Sequence, residues 1–236
     1  MDNHTEQLAD GVWRVEVAAY VNAFVLANDG RGDAEGLTIV DTGWSRSGPR
    51  LVRSIRLAGL DPRSVGDVLV SHWHADHAGA AARFARSSAA PAVWIGEADR
   101  PVLAGEADPQ PTAGQTTALG RALAPHWRRP APVSDVRSLT HGQRLPAAGG
   151  LQVVEAPGHT PGHCAFWLPD RGVLLGGDAV LNIWFLSRGP KLLCSALPAT
   201  RGTLRRLAEL SYDTLAMGHG PPVTRRANER VAALIS

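Results

Sequence analysis

Cysteine is scarce in this chain: two of its 236 residues are cysteines, Cys164 and Cys194, and they stand far apart. That number and spacing indicate neither a disulfide framework nor a zinc site built from paired thiolates. The first residues lack a basic segment followed by an apolar one, so we expect no signal peptide. No run reaches the ~18 apolar residues of a membrane span. These absences predict a cytoplasmic protein without a membrane partner.

Charge of either sign is also modest. Charged residues make up 19% of the chain, and the net charge is +2 when the histidines are neutral. Such a balance does not indicate a nucleic-acid partner. The apolar fraction of 44% and the chain length are sufficient for a sizeable hydrophobic core. We therefore expect a globular protein that acts on a small-molecule substrate, and the sequence does not indicate its oligomeric state.

Histidine, in contrast, is concentrated in one stretch, Ser71-His72-Trp73-His74-Ala75-Asp76-His77. Three imidazoles and a carboxylate provide the nitrogen and oxygen donors that bind Zn²⁺. A β-branched run at 65–71 precedes the cluster and a helix-forming run at 78–84 follows it, which predicts a strand-to-helix loop. A carboxylate at a helix start also has a simpler interpretation as a cap. The whole constellation nevertheless predicts a metal site.

Three later stretches carry donors of the same kinds, and an earlier one carries Asp41. They read Pro157-Gly-His159-Thr-Pro-Gly162, Gly176-Gly-Asp178-Ala, Met217-Gly-His219-Gly220 and Ile39-Val-Asp41-Thr-Gly43. With His-x-His-x-Asp-His, these motifs resemble, over about residues 11 to 235, the signature of the metallo-β-lactamase fold superfamily. The resemblance implies an α/β fold, a four-layer αββα sandwich with pseudo-twofold halves, as one domain over residues 1–236.

The same resemblance implies a dinuclear metal site with two Zn²⁺ per chain. The implied first site consists of His72, His74 and His159. The implied second site consists of Asp76, His77 and His219, and Asp178 bridges the two metals. Asp41 is expected to hydrogen-bond a ligand histidine or the loop amides, although a simple turn or cap explains it equally well. His163 is not expected to be a ligand, and we predict that it hydrogen-bonds within its own loop.

By this resemblance the chain is a metal-dependent hydrolase of a small ester, lactone or thioester. A metal-bridging hydroxide would be the nucleophile, and Asp76 would orient it and pass its proton to the leaving group. The glyoxalase II-like and lactonase-like branches fit best, although we expect no extra helical domain of the glyoxalase II type after His219. Leu181 also stands where quorum-signal lactonases often have a tyrosine.

Two alternatives from other functional classes stay open. Persulfide dioxygenases resemble the first motif but use one iron, and Fe²⁺ or Mn²⁺ accepts the same ligand types as zinc. The second alternative is a metal-bound accessory protein without hydrolytic activity, since one fold can carry several functions.

Two segments are candidates for the substrate pocket. Residues 105–136 are rich in proline, and we interpret this insertion as a lid with Trp127 in its apolar wall, or as a surface connection without chemistry. Residues 179–197 are apolar and directly follow Asp178. Trp184 and Phe185 in that segment either line the pocket or pack in the core.

Hydrophobic periodicity predicts the remaining elements. Strands are predicted at 11–17, 21–27, 37–40, 65–71, 92–95, 151–155, 164–168, 173–176 and 214–217. Helices are predicted at 47–60, 78–87, 97–104, 116–124, 200–210 and 225–235.

Overall fold

Two β-sheets organise the chain in this computed structural model, which describes residues 5–28, 36–116 and 129–235. The larger sheet has seven strands that neighbour one another in chain order. They are β1 (Thr5–Ala9), β2 (Val12–Ala18), β3 (Val21–Ala27), β4 (Leu37–Val40), β5 (Val65–Val70), β6 (Ala92–Gly96) and β7 (Val136–Leu139). The pairs from β1 to β4 are antiparallel, and those from β4 to β7 are parallel.

The second half of the chain supplies the remaining strands. They are β8 (Arg144–Leu145), β9 (Leu151–Glu155), β10 (Cys164–Leu168), β11 (Val173–Leu175), β12 (Leu181–Asn182), β13 (Leu186–Ser187), β14 (Thr214–Ala216) and β15 (Val223–Thr224). Six of them form a sheet in the order β15-β14-β11-β10-β9-β8, while β12 and β13 form a separate hairpin. Within the six-stranded sheet only the β11–β14 pair is parallel.

The described α-helices are short. They are α1 (Gly48–Leu57), α2 (Ala75–Ala78), α3 (Ala81–Ala85), α4 (Arg100–Leu103), α5 (Thr200–Ala208) and α6 (Ala227–Ala232). In the described ranges, no helix has both the length and the apolar character needed to cross a membrane.

Three clusters of buried apolar side chains define four layers. The first cluster includes Leu51 and Phe84 and joins α1, α3 and α4 to the larger sheet. The second includes Phe24 and Phe166 and lies between the two sheets. The third includes Leu207 and joins α5 and α6 to the smaller sheet. The order helix, sheet, sheet, helix confirms the predicted αββα sandwich.

Side-chain periodicity explains these layers. All seven residues of β3 are buried because the strand is covered on both faces. Its even-numbered Phe24 and Leu26 enter the cluster between the sheets, whereas Val25 enters the cluster under the helices. In α1, Leu51 and Ile55 are four residues apart and therefore share the buried face.

The fold brings strand ends from both sheets together. The parallel strands β4 and β5 end in the loops of Asp41 and His72, while β9, β11 and β14 lead to His159, Asp178 and His219. Asn22 of β3 connects the two sheets at this edge. Its buried Nδ2 donates hydrogen bonds to the carbonyl oxygens of Met217 (2.9 Å) and Gly220 (2.7 Å), on both sides of His219.

The predicted elements differ from the structure in two respects. One continuous helix at 78–87 is wrong, because α2 ends at Ala78 and α3 begins at Ala81. The amide of Ala80 donates to the Thr42 hydroxyl (3.1 Å), which interrupts the helical hydrogen-bond series. In addition, β1, β7 and the two-residue strands β8, β12, β13 and β15 were not predicted. The predicted helix at 116–124 lies almost entirely outside the described residues.

Candidate metal centre

Two ligand-type groups meet at the common edge of the sheets, and a further set of His72, His77 and Asp178 overlaps both. The first group contains His72, His74 and His159. Their donor atoms all lie within 4.8 Å of one another, and all three side chains are buried. His74 Nδ1 is 2.9 Å from His159 Nε2. The turn after β5 directs His72 and His74 to the same point from alternate positions, as predicted, and the loop after β9 adds His159 from the second sheet.

The second group contains Asp76, His77 and His219, whose donor atoms also lie within 4.8 Å of one another. His77 Nε2 is 3.3 Å from His219 Nε2, and His219 Nε2 is 3.2 Å from Asp76 Oδ2. Asp76 and His77 belong to the short helix α2 (Ala75–Ala78), which directly follows His74.

Asp178 lies between the two groups. Its Oδ2 is 3.5 Å from His159 Nε2 and 3.3 Å from His219 Nε2, and its Oδ1 is 3.4 Å from His77 Nε2. The carboxylate thus faces members of both groups. The structure therefore brings together all seven residues that the motifs suggested as ligands.

The donor set fits a cation better than a network of hydrogen bonds. Nε2 of His72 is buried without a hydrogen-bond partner, an arrangement that costs free energy unless another group satisfies the nitrogen. Burial lowers the pKa of His72, His74 and His159, so these rings remain neutral and keep a lone pair. Neutral imidazoles and carboxylates are the ligands that Zn²⁺ binds.

The carboxylates of the cluster are ionised. Burial acts to raise the pKa of Asp76, but the charge of His77 and the hydrogen bond with His219 outweigh it and lower the pKa to about 2. Burial also acts to raise the pKa of Asp178, yet His219 and His77 hold it well below its usual range. For His219, burial acts to lower the pKa, and Asp178 raises it to about 9. A metal would compete with protons for these same atoms.

Asp41 contacts the second group through His77. Its fully buried carboxylate accepts hydrogen bonds from Ser71 N (2.7 Å) and Ser71 Oγ (2.8 Å), and its Oδ2 lies 2.8 Å from His77 Nδ1. The Nδ1–H of His77 is therefore the donor to Asp41, which leaves Nε2 free to face the cluster. The hydrogen bonds to a ligand-type histidine and to a loop amide are those expected from the sequence.

His163 occupies a position that the sequence did not predict. Its Nε2 accepts a hydrogen bond from the backbone amide of Asp178 (2.9 Å), so the bond leaves its own loop and fixes the neighbouring one. Burial lowers the pKa of His163 to about 3 and keeps the ring neutral, as an acceptor must be. At Gly177, with φ +51°, an added Cβ would stand 2.5 Å from His163 Nε2. A glycine is therefore needed for this close approach.

Asp99 is a second buried carboxylate, and sequence reasoning missed it. It precedes α4 and accepts hydrogen bonds from Thr160 Oγ1 (2.6 Å), Gly162 N (2.8 Å) and Trp73 N (3.3 Å). Burial raises its pKa to about 6, and the three hydrogen bonds only partly offset that effect. A lone aspartate after a short strand carries no motif, and its partners are 26 to 63 residues away.

A cavity of about 520 Å³ opens directly above the cluster. Its floor is formed by His74, Asp76, His159, Asp178 and His219, and its walls by Leu181, Ile183, Trp184, Phe185, Ser187, Gly189, Pro190 and Leu193. The walls are therefore mostly apolar, a usual property of small-molecule sites.

The predicted pocket residues differ in their placement. Trp184 and Phe185 lie at the tip of the β12–β13 hairpin, with 88% and 70% of their surfaces exposed, so they line the cavity and do not pack in the core. Trp127 lies outside the described residues.

Fold and cluster together define a metallo-hydrolase. The family model described as "Metallo-beta-lactamase superfamily" matches residues 18–219 of the chain. The chain therefore belongs to the metallo-β-lactamase superfamily and is a hydrolase of that superfamily.

Individual relatives share a moderate fraction of the sequence. The chain is 25% identical over 211 residues to the probable metallo-hydrolase YflN of Bacillus subtilis, covering 81% of this chain and 78% of that protein. It is 32% identical over 215 residues to the N-acyl homoserine lactonase AttM of Azorhizobium caulinodans, covering 85% and 75%. The Rm3 metallo-β-lactamase structure superposes with a TM-score of 0.74 at 20% identity, covering 99% and 91%, which is evidence for the fold alone.

Proposed function

We propose that the protein is a dinuclear zinc-dependent hydrolase of a small ester, lactone or thioester that carries an apolar group. One observation carries the proposal: two groups of donor residues flank Asp178, and members of both groups line the floor of a largely apolar cavity. His72, His74 and His159 would hold one zinc ion, and Asp76, His77 and His219 the other. The alternative with a single iron leaves part of this donor set without a role.

Bound zinc supplies a Lewis acid that polarises a carbonyl and lowers the pKa of water to about 7. The protein contributes position and a proton acceptor. Asp76 is ionised and 21% exposed, so its carboxylate reaches the cavity. There it orients the attacking water and passes the proton to the leaving group. Asp178 faces both groups and fixes their separation.

The cavity walls support an apolar substrate group. Leu181 is buried beside the metal-binding residues and presents no hydrogen-bond donor to a carbonyl oxygen. Affinity along this wall therefore comes from apolar contact with Leu181, Trp184 and Phe185. The relative named as an N-acyl homoserine lactonase supports a lactone among the substrates.

A lid role for residues 105–136 is the second part of the proposal. In the described portion, the amide of Ala113 donates to the carbonyl oxygen of Cys194 (2.7 Å). At Gly114 an added Cβ would stand 2.8 Å from the carbonyl oxygen of Leu192. The proline-rich segment thus contacts the residues that follow Pro190 in the cavity wall. Shifts of this segment would change the shape of the cavity.

The experiment that tests the proposed activity compares wild type with Asp178→Ala on a panel of esters, lactones and thioesters with short and long acyl groups. We expect turnover of at least one long-chain substrate by the zinc-loaded wild type and a loss of 100-fold or more in Asp178→Ala. Asp170→Ala is the matched control, because Asp170 is exposed on the hairpin between β10 and β11. Full turnover and full zinc content in Asp178→Ala would refute the proposal.

A further inference from the structure

We infer that Asp99 is a positioning residue for the group of His72, His74 and His159, and only for that group. The inference rests on the proposed metal function. Its structural basis is a single buried carboxylate that bonds both loops from which these three histidines project.

The hydrogen bonds of Asp99 divide between the two loops. Oδ2 accepts from the amide of Trp73, the residue between His72 and His74. The same oxygen accepts from Thr160 Oγ1, next to His159, and Oδ1 accepts from Gly162 N. Movement of either loop away from the other would therefore break at least one bond to the carboxylate. Asp99 sets the separation of His72 and His74 from His159.

The segment between β6 and α4, which carries Asp99, packs closely against the His159 loop. An added Cβ on Gly162 would stand 2.3 Å from the Asp99 amide nitrogen, and one on Gly96 would stand 1.9 Å from the Gly162 carbonyl oxygen. Both positions thus require glycine for the segment between β6 and α4 to reach the His159 loop. Asp99 itself is 1% exposed, and loss of its carboxylate would leave the donors that it accepts from without this partner, which costs free energy for buried groups.

Asp41 is a second buried carboxylate next to the cluster, and it has different partners. It lies against His77 of the other group and reaches His72 only through the hydroxyl of Ser71. Among the hydrogen bonds of the described residues, those of Asp99 go to Trp73, Thr160 and Gly162, and none goes to Asp76, His77 or His219. Asp41 therefore contacts His77 directly and His72 through Ser71, whereas Asp99 contacts only residues that flank His72, His74 and His159.

The test measures zinc affinity and does not depend on turnover. Wild type, Asp99→Ala and Asp99→Asn are titrated against a chromogenic zinc chelator to obtain two stepwise constants. We expect Asp99→Ala to weaken one constant by about 10- to 100-fold, the usual effect of losing an outer partner of a ligand, and to leave the other within 3-fold. Anomalous zinc scattering from crystals should show reduced occupancy beside His72, His74 and His159.

Conservative and control variants separate positioning from folding. In Asp99→Asn, the side-chain carbonyl oxygen can still accept a hydrogen bond from Gly162 N, and the side-chain NH2 group can donate to Thr160 Oγ1. The NH2 group would, however, face the N–H of Trp73, which is also a donor. We therefore expect an intermediate effect. Thr160→Val removes only one donor and should give a weaker effect in the same direction if Asp99→Ala does not fold. Asp67→Asn is the matched control, because Asp67 also accepts a hydrogen bond, from Trp94 Nε1 (2.7 Å), away from the cluster.

The outcomes distinguish this inference from the proposed function. A wild type that binds no zinc overturns both. A wild type with two zinc ions overturns the inference alone if the Asp99 variants, or Thr160→Val, retain both constants and lose only thermal stability. Equal weakening of both constants also overturns it, since Asp99 would then support the whole edge of the sandwich.

Discussion

At the residue scale, Asp41 shows how a buried carboxylate orients a ligand-type histidine. The residue has φ +58°, a left-handed conformation that aspartate and asparagine tolerate better than most residues. Asparagine therefore preserves the backbone while it removes the charge that faces His77 Nδ1. An Asp41→Asn substitution therefore tests the effect of the carboxylate charge without a change in the backbone conformation.

We predict that Asp41→Asn weakens zinc binding at the group of Asp76, His77 and His219 by about 10- to 100-fold. The reason is the loss of a charge-assisted hydrogen bond that fixes the orientation of the His77 ring. Stepwise zinc titration checks the effect, with thermal unfolding of the metal-free protein as the control. Unchanged zinc constants would contradict the role assigned to Asp41.

Asp41 and Asp99 also mark the limit of prediction from the sequence at this scale. Asp41 follows a clear strand in a stretch that resembles a family motif, so its role was accessible. Asp99 joins Trp73, Thr160 and Gly162, and only the folded chain brings them together. His163 likewise bonds a residue 15 positions away in the next loop. Such partners leave no local pattern.

At the scale of elements, the tip of the β12–β13 hairpin shapes the cavity without packing in the core. Trp184 and Phe185 project from its tip and are largely exposed. Their truncation should therefore change the free energy of unfolding by no more than about 0.5 kcal/mol, as at other exposed sites. The apolar surface they offer should instead matter for substrate binding.

We predict that Trp184→Ala and Phe185→Ala each raise KM for a long-chain substrate by about 10-fold, which corresponds to ~1.4 kcal/mol of lost contact. A short-chain substrate should show less than a 2-fold change. Steady-state kinetics on a chain-length series measures the difference. Trp44→Ala is the control, because Trp44 is 46% exposed and does not line the cavity. Equal effects on short and long chains would contradict this role of the hairpin.

Elements with strong periodicity were predictable, and those set by tertiary contacts were not. The strands at Val21–Ala27, Leu37–Val40 and Leu151–Glu155 have the predicted bounds. The helix at 78–87 was wrong because Thr42, from another loop, captures the amide of Ala80. The strands β12 and β13 are two residues each, too short for an alternating pattern.

At the scale of the whole molecule, the cluster joins the two sheets. Asp76 and His77 follow the larger sheet, whereas Asp178 and His219 follow strands of the smaller one. A cation held by all of them would therefore link both halves of the sandwich. Ligands that bind only the folded state stabilise it in proportion to RT ln(1 + [L]/Kd).

We predict that chelation of the metal lowers the melting temperature by several degrees, since zinc at 100 times its Kd contributes about 2.7 kcal/mol. Removal also leaves His72 Nε2 buried without a partner. Calorimetry with zinc and with EDTA measures the shift, and zinc should restore the original value. In Asp178→Ala the shift should be much smaller. An identical melting temperature with and without metal would contradict a shared site between the sheets.

We propose that this edge of the sandwich binds two zinc ions for hydrolysis. Elemental analysis of the purified, metal-replete protein tests it most directly. We expect about two zinc ions per chain, with loss of ester, lactone or thioester turnover on chelation and recovery on zinc addition. About one iron per chain with oxygen uptake on a persulfide, or no bound metal at all, would contradict it.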